Sequence, residues 1–148
     1  PRAAARTLAM VGVDADTLAL LRSWVNDDDY LVRAEVVRSL RYCGRAGANL
    51  LVERLRGEAD PFVRRVAAET LAHHKSRATG EALVDYLEQC KGAKDFAGER
   101  TAQLALQRMV GKRGPRTPAA WREAAASFGE LPVDANPAPA AATPTTLR

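Results

Sequence analysis

The chain has 148 residues, a length that favours one domain, and its formal net charge is +4 at pH 7. Hydrophobic residues make up 47% of the sequence but aromatic residues only 5%, so the core must be built mainly from Leu, Val and Ala. Such a composition favours closely packed helices over β-sheets, which are rich in aromatic and β-branched residues. Positive and negative charges alternate, whereas segments that bind nucleic acid usually carry blocks of like charge. No apolar run approaches the roughly 20 residues of a transmembrane helix.

Helical spacing of apolar residues predicts eight helices, most of them bounded by a capping residue or a glycine. In chain order they are 2–11, a helix after Asp14 or Asp16 that reaches about Val25, 30–43, 47–56, 61–73, a helix that begins at Ser76 or Thr79 and reaches about Gln89, 96–110 and 118–128. From Gly129 onward the composition shifts to Pro, Ala and Thr, which cannot bury enough apolar surface to offset the entropy of ordering. A flexible tail is therefore predicted at 129–148.

The clearest helix start lies at Asp60–Leu71, which reads DPFVRRVAAETL. Asp60 can accept hydrogen bonds from the free amides of the first turn. Pro61 occupies the first helical position, where its missing N–H costs nothing. The apolar residues that follow at helical spacing are predicted to form one buried face: Phe62, Val63, Val66, Ala67 and Leu71.

The same pattern recurs along the chain. Residues 29–40 (DYLVRAEVVRSL) match it at the Asp, Val, Arg and final Leu, and residues 95–106 match it at the Asp and the final Leu. In the copy at 95–106, Gly98 stands at the Val position and Glu99 at the Arg position. A leucine recurs after 32, 31 and 35 residues, at Leu8, Leu40, Leu71 and Leu106. Near-constant spacing in this range is the signature of stacked repeats.

Helical pairs of this length cannot bury their apolar faces alone, so neighbouring pairs must stack into a solenoid. We predict an all-α solenoid over 1–128, with repeats at about 1–12, 13–44, 45–75 and 76–111 and a capping helix at 117–128. The first copy corresponds only to the second half of a repeat, so the chain is expected to begin mid-repeat. Localisation is left open, with the cytoplasm as the default, because the N-terminus is expected to be missing.

The D-x-x-V-R-x-x-A run, on the second helix of a pair about 31 residues long, resembles the HEAT repeats of bacterial proteins. In particular it resembles the short phycobilisome-lyase-type class of HEAT-like repeats. The resemblance covers Ala3 to about Val110 and is carried by Asp29, Val32, Arg33, Asp60, Val63 and Arg64. It implies a right-handed α-solenoid of stacked helical hairpins.

The resemblance also implies a structural ladder, formed by Asp29, Arg33, Asp60, Arg64 and Asp95. In such a ladder the aspartates cap their helices and the arginines link neighbouring turns. Glu99 breaks the arginine column in the last repeat, where Arg100 could substitute from the next position. We interpret the ladder as structural, because catalytic groups are rarely duplicated in register.

No catalytic, cofactor-binding or metal-binding set is predicted. Cys43 and Cys90 lie at the ends of different helices without a C-x-x-C spacing, and we interpret them as small buried hydrophobic residues. His73 and His74 are adjacent, so on a helix their side chains point about 100° apart and cannot readily bind one metal ion. No serine lies in a motif that would activate a nucleophile, and no glycine-rich phosphate loop occurs.

The remaining candidate is a surface. In HEAT-like solenoids the second helix of each pair lines the concave side, and six side chains there are expected to face outward: Arg38, Arg41, Arg65, Glu69, Arg100 and Gln107. A solvated face explains these residues adequately. The sharper hypothesis is a basic concave strip that docks an acidic segment of a protein partner.

The predicted function is therefore a non-catalytic scaffold or adaptor for protein–protein interaction, by analogy with the fold. The first alternative is nucleic-acid binding through the basic strip, with affinity that falls steeply as salt is added. The second alternative, which the resemblance implies, is a helper role in a lyase reaction or in chromophore attachment.

Overall fold

The computed structural model describes residues 15–111 and 113–133. Within these residues the protein is all-helical and has no strand, as the sequence predicts. The elements are α1 (Ala15–Trp24), α2 (Tyr30–Ser39), a 3-10 helix (Leu40–Tyr42), α3 (Gly44–Gly57), α4 (Pro61–Leu71), α5 (Arg77–Gly92), α6 (Phe96–Val110) and α7 (Pro118–Ala126). None of these helices is both long and apolar enough to cross a membrane. The predicted helix at 2–11 lies outside the described residues.

The helices form two layers. In one layer α2, α4 and α6 pack side by side, and in the other α3, α5 and α7 pack in the same order. Contacts between α1 and α2, between α3 and α4 and between α5 and α6 join the two helices within each pair. This is the arrangement of a helical solenoid. We call the outer side of α2, α4 and α6 the B face, and the outer side of α3, α5 and α7 the A face.

Local side-chain chemistry sets the start of the helices. Asp60 Oδ1 accepts hydrogen bonds from the amides of Phe62 and Val63, at 2.9 and 3.1 Å. At α5, Ser76 and Thr79 form a reciprocal capping box, in which each side chain binds the backbone amide of the other residue. These caps satisfy amides that have no partner within the first turn of a helix.

The corner between the first two helical pairs differs from the predicted boundaries. α2 ends at Ser39, and a 3-10 helix separates it from α3, which begins at Gly44 and not at residue 47. Gly44 has φ of 56°, a conformation that glycine adopts without strain. A Cβ at Gly47 would lie only 2.6 Å from the Leu40 carbonyl oxygen. The tight corner therefore depends on two glycines.

The core is built from aliphatic side chains, as the composition predicts. The largest side chains that are almost completely buried are Leu21, Leu40, Leu51, Leu55, Leu71, Leu83, Leu87, Leu106 and Trp121. Cys43 and Cys90 are both buried, as the sequence predicts. One prediction is wrong: Phe62 is 37% exposed and does not belong to the buried face of α4. It precedes the buried Val63 by one residue, which turns its side chain about 100° toward the B face.

The segment that follows α7 contacts the layer of α3, α5 and α7. Phe128 is buried, and a Cβ at Gly80 would lie 2.9 Å from a carbon of its ring. The Arg77 amide donates a hydrogen bond to the Gly129 carbonyl oxygen at 3.0 Å. The first residue of the predicted tail is thus bound to the start of α5. Residues 134–148 lie outside the described part of the chain.

Candidate protein-binding surface

The first ladder arginine connects two successive repeats. Asp29 caps α2 by accepting a hydrogen bond from the Leu31 amide at 2.8 Å. One turn later, Arg33 donates through Nε and Nη2 to the two carboxylate oxygens of Glu58, both at 3.1 Å. Its Nη1 donates to the Asp27 carbonyl oxygen at 2.7 Å. Because Glu58 follows α3, this bidentate pair joins the turns of neighbouring repeats.

Glu58 is the buried centre of this first junction. Arg54 Nε lies 3.3 Å from Glu58 Oε2, and Arg54 Nη1 donates to the Val25 carbonyl oxygen at 3.0 Å. Burial alone would raise the pKa of the Glu58 carboxyl. The hydrogen bonds that it accepts from Arg33 and from the Asp60 amide, together with the two arginine charges, outweigh burial and hold its pKa below the ordinary value. Sequence reasoning did not single out Glu58 or Arg54.

Arg64 occupies the equivalent position in the next repeat but has different partners. Its guanidinium carbon lies 4.9 Å from the centre of the Tyr86 ring, and its Nη2 donates to Gln89 Oε1 at 2.6 Å. Tyr86 is buried, and burial raises the pKa of its phenol far above the ordinary value. At the second junction the guanidinium therefore contacts a neutral ring and an amide instead of a carboxylate, and Arg64 Nε is buried without a hydrogen-bond partner among the described residues.

The same junction explains why glycine stands at position 98, where the earlier repeats have Val32 and Val63. Asp95 caps α6 by accepting a hydrogen bond from the Gly98 amide at 3.0 Å. A Cβ at Gly98 would lie 2.5 Å from Cys90 Sγ and 2.9 Å from the Tyr86 hydroxyl oxygen. Two side chains of α5 thus fill the space that a valine occupies in the other repeats.

The acidic residue in the arginine column, Glu99, lies close to its own helical pair. Its carboxylate is 3.8 Å from Lys91 Nζ at the end of α5. Arg100, at the following position, is exposed on α6. Glu99 therefore contacts the preceding helix of its own pair, whereas Arg33 and Arg64 reach forward to the next one.

The six side chains of the predicted strip all lie on the layer of α2, α4 and α6 or directly after α2. Arg38, Arg41, Glu69 and Arg100 are exposed, and Arg65 and Gln107 are half-buried. Arg38 donates to Glu35 at 2.8 Å. In the part of the chain that the structure describes, Arg41, Arg65 and Arg100 form no ion pair. Three of the four predicted arginines therefore have no carboxylate partner among residues 15–111 and 113–133.

Sequence reasoning missed a row of exposed aromatic residues at the starts of the same three helices. We call Tyr30, Phe62 and Phe96 the aromatic row; they are 45%, 37% and 75% exposed. The rings of Tyr30 and Phe62 meet edge to face, with centroids 6.3 Å apart and planes at 86°. Aligning the repeats would have revealed the row, because all three residues occupy the first or second position of a B-layer helix.

A second row lies at the opposite ends of these helices. We call Arg41, His73 and Arg108 the basic row. Burial, followed by the positive charges of Arg41 and Arg108, lowers the pKa of His73. The adjacent His74 is buried, and its Nε2 lies 3.2 Å from the Leu40 carbonyl oxygen. Within residues 15–111 and 113–133, no group of three or more His, Cys, Asp or Glu could hold a metal ion.

Several charges of the A face, by contrast, are paired with one another, although Glu53 and Glu123 form no ion pair among the described residues. Arg122 Nη2 lies 2.8 Å from Asp85 and 3.1 Å from Glu88. Arg56 lies 3.7 Å from Asp85, so one acidic residue bridges arginines of α3 and α7. Exposed pairs of this kind contribute little to stability, but they leave the A face nearly neutral locally.

A surface depression of about 150 Å³ lies beside the first junction. It is lined by Val25, Asn26, Leu50, Glu53 and Arg54. Pockets for small molecules typically occupy about 300–1,000 Å³. The depression is therefore smaller than an ordinary small-molecule pocket.

Comparison with known proteins agrees with this architecture. Residues 1–72, just under half of the chain, match the family described as HEAT repeats. The match supports a HEAT-repeat protein and a helical-repeat architecture, and HEAT repeats commonly mediate protein–protein interaction. No curated protein and no solved structure matches the chain.

Proposed function

We propose that this chain is a non-catalytic scaffold that binds a protein partner through its B face. The observation that carries the proposal is the contrast between the two faces. On the A face, Arg56 and Arg122 pair with Asp85 or Glu88, whereas on the B face Arg65 and Arg100 form no ion pair among the described residues and stand within one turn of exposed aromatic rings. Arginine and aromatic side chains contribute most of the binding energy at protein interfaces. A stacked-repeat surface holds such groups at a regular spacing.

We further propose that the repeats are of the phycobilisome-lyase type, that they wind into a right-handed solenoid, and that α7 closes its C-terminal end. The D-x-x-V-R-x-x-A run at 60–67 and the D-x-x-V-R run at 29–33 support the repeat type. The closing role of α7 is supported by Trp121, which is completely buried, and by the packing of α7 against α5.

The proposal is tested by a pull-down from the source cell with this chain as bait, after nuclease treatment and at raised salt. The B-face variant is Arg65→Ala with Arg100→Ala. The matched control is Arg56→Ala with Arg122→Ala, which removes the same charge from the A face. We expect a protein that the wild-type chain and the A-face control retain and that the B-face variant loses.

Equal capture by both variants would show that the B face is not the binding surface and would overturn the proposal. Recovery of nucleic acid that is lost on adding salt would instead support the nucleic-acid alternative, because counterion release makes such binding steeply salt-dependent. Binding through mixed polar and apolar contacts should lose far less affinity with salt.

A further inference from the structure

Each helix of the B layer carries the same pair of chemical groups. An aromatic ring stands at its start, and a cationic or ionisable nitrogen group stands at or just beyond its end. The pairs are Tyr30 with Arg41, Phe62 with His73, and Phe96 with Arg108. The B face therefore presents the aromatic row and the basic row along two opposite edges.

The two rows are separated by a near-constant number of residues. The paired residues lie 11, 11 and 12 positions apart in the sequence. At 1.5 Å of rise per residue, this corresponds to about 16–18 Å along the helix. Eleven residues are close to three full turns, whereas the twelfth turns the Arg108 side chain about 120° away from Phe96 around the axis of α6. An extended peptide advances about 3.3 Å per residue, so about five residues would span the two rows.

The charge between and beyond the rows is mostly positive. Arg65 and Arg100 lie one turn from the aromatic row and form no ion pair among the described residues. Glu69, an exposed acidic residue of α4, lies between the rows. The groups that act on His73 are Arg41 from the 3-10 helix, Arg108 from α6 and the adjacent His74. This surface complements an anion at its basic edge and an apolar group at its aromatic edge.

We propose that the partner segment is a short, extended acidic peptide with one apolar anchor. The apolar side chain packs on the aromatic row, and acidic side chains about five residues away contact the basic row. Charge complementarity selects an acidic segment, and the exposed rings of Phe62 and Phe96 provide the apolar contact. This inference rests on the proposed function, because it names the chemistry of the partner that the B face would bind.

The test uses fluorescein-labelled synthetic peptides and fluorescence anisotropy with the whole chain. The parent probe carries a Phe, four Gly or Ser residues, and then two Glu. Three matched probes replace the Phe with Ser, replace both Glu with Lys, or shorten the spacer to one residue. We expect the parent probe to bind and each matched probe to bind at least about fivefold more weakly, which corresponds to about 1 kcal/mol.

Variants of the chain assign each contact. Phe96→Ser should weaken binding of the parent probe but leave the affinity for the probe that lacks Phe unchanged. Arg108→Ala should weaken binding of the parent probe but not binding of the Lys probe. Arg56→Ala on the A face is the control, and it should leave the affinity for the parent probe unchanged. Both B-face side chains are exposed, so these variants should fold normally, which circular dichroism would verify.

Equal affinity for the parent probe and the probe that lacks Phe would overturn the inference that an apolar side chain of the peptide packs on the aromatic row. A single-stranded oligonucleotide that binds more tightly than the parent probe, with no effect of Phe96→Ser, would overturn the peptide assignment in favour of nucleic acid. If no peptide binds but the pull-down yields a partner that depends on Arg65 and Arg100, this inference fails and the scaffold function stands. If the pull-down is also independent of the B face, both fail.

Discussion

The arginines at equivalent positions of two successive repeats, Arg33 and Arg64, have different partners at their junctions. At the first junction, Arg33 is paired with the buried carboxylate of Glu58. At the second, Arg64 lies over the ring of Tyr86 and donates to Gln89. The repeat pattern therefore fixes the position of the arginine. The next repeat supplies its partner, which is a carboxylate at the first junction and an aromatic ring with an amide at the second.

This difference has an energetic consequence. A buried carboxylate between two arginines leaves uncompensated charge when it is removed, so the first junction should be sensitive to single substitutions. A cation over an aromatic ring with one amide contact contributes about 0.5–2 kcal/mol. The second junction should therefore tolerate loss of its arginine better than the first tolerates loss of its glutamate.

The largest effect is expected for Glu58→Ala. The substitution leaves Arg33 and Arg54 partly buried without a carboxylate, and it should lower the free energy of unfolding by about 3 kcal/mol. Chemical denaturation followed by circular dichroism measures this change. The control is Glu88→Ala, which removes an exposed carboxylate and leaves Arg122 paired with Asp85, and it should cost less than about 1 kcal/mol. Equal losses in the two variants would contradict the assigned role of Glu58.

Gly98→Ala should cost about 2 kcal/mol, because the added Cβ overlaps Cys90 Sγ and the Tyr86 hydroxyl. The matched control is Gly92→Ala, since a Cβ there would meet no atom within 4 Å. Both variants should be compared by thermal and chemical denaturation. A Gly98→Ala protein as stable as wild type would show that the second junction can rearrange around a side chain.

Arg64→Ala should lower the free energy of unfolding by about 1 kcal/mol and the melting temperature by a few degrees. It removes the contact with the Tyr86 ring and the hydrogen bond to Gln89. Arg65→Ala, one position further on the same helix, is the control for charge and helix propensity and should have a smaller effect. A larger loss of unfolding free energy for Arg65→Ala than for Arg64→Ala would contradict the assignment of Arg64 as the structural arginine.

The smallest effect concerns pH. The pKa of Glu58 is lowered in the folded protein, so its contribution is fully present above the unfolded value, close to 4.5, and is lost as the pH falls through the lower folded value. Glu58→Gln cannot ionise. The difference in unfolding free energy between wild type and Glu58→Gln should therefore shrink below about pH 4.5. A difference that stays constant over this range would contradict the assigned pKa shift.

The helices and their caps could be predicted from the sequence because both depend on neighbouring residues. The Asp60 cap, the capping box at Ser76 and the end of α6 at Gly111 all involve groups within one turn of each other. The corner at Gly44–Gly47 was not predicted, because its close approach involves a carbonyl of the preceding helix. Phe62 was wrongly assigned to the buried face for a related reason. Its position in the sequence shows that an apolar residue lies near the start of a helix, but not whether another helix covers it.

By itself, the sequence determined an all-helical chain, a repeat of 31 to 35 residues and the positions of the ladder residues. These properties follow from periodicity and from interactions within one helical turn. Only the tertiary structure decided that Arg33 pairs with Glu58, that Arg64 packs on the Tyr86 ring, and that the aromatic row and the basic row lie on the same layer of helices. The two arginine contacts join residues 25 and 22 positions apart, and neighbours within each row lie 32 or more positions apart, so the stacking of whole helical pairs brings them together.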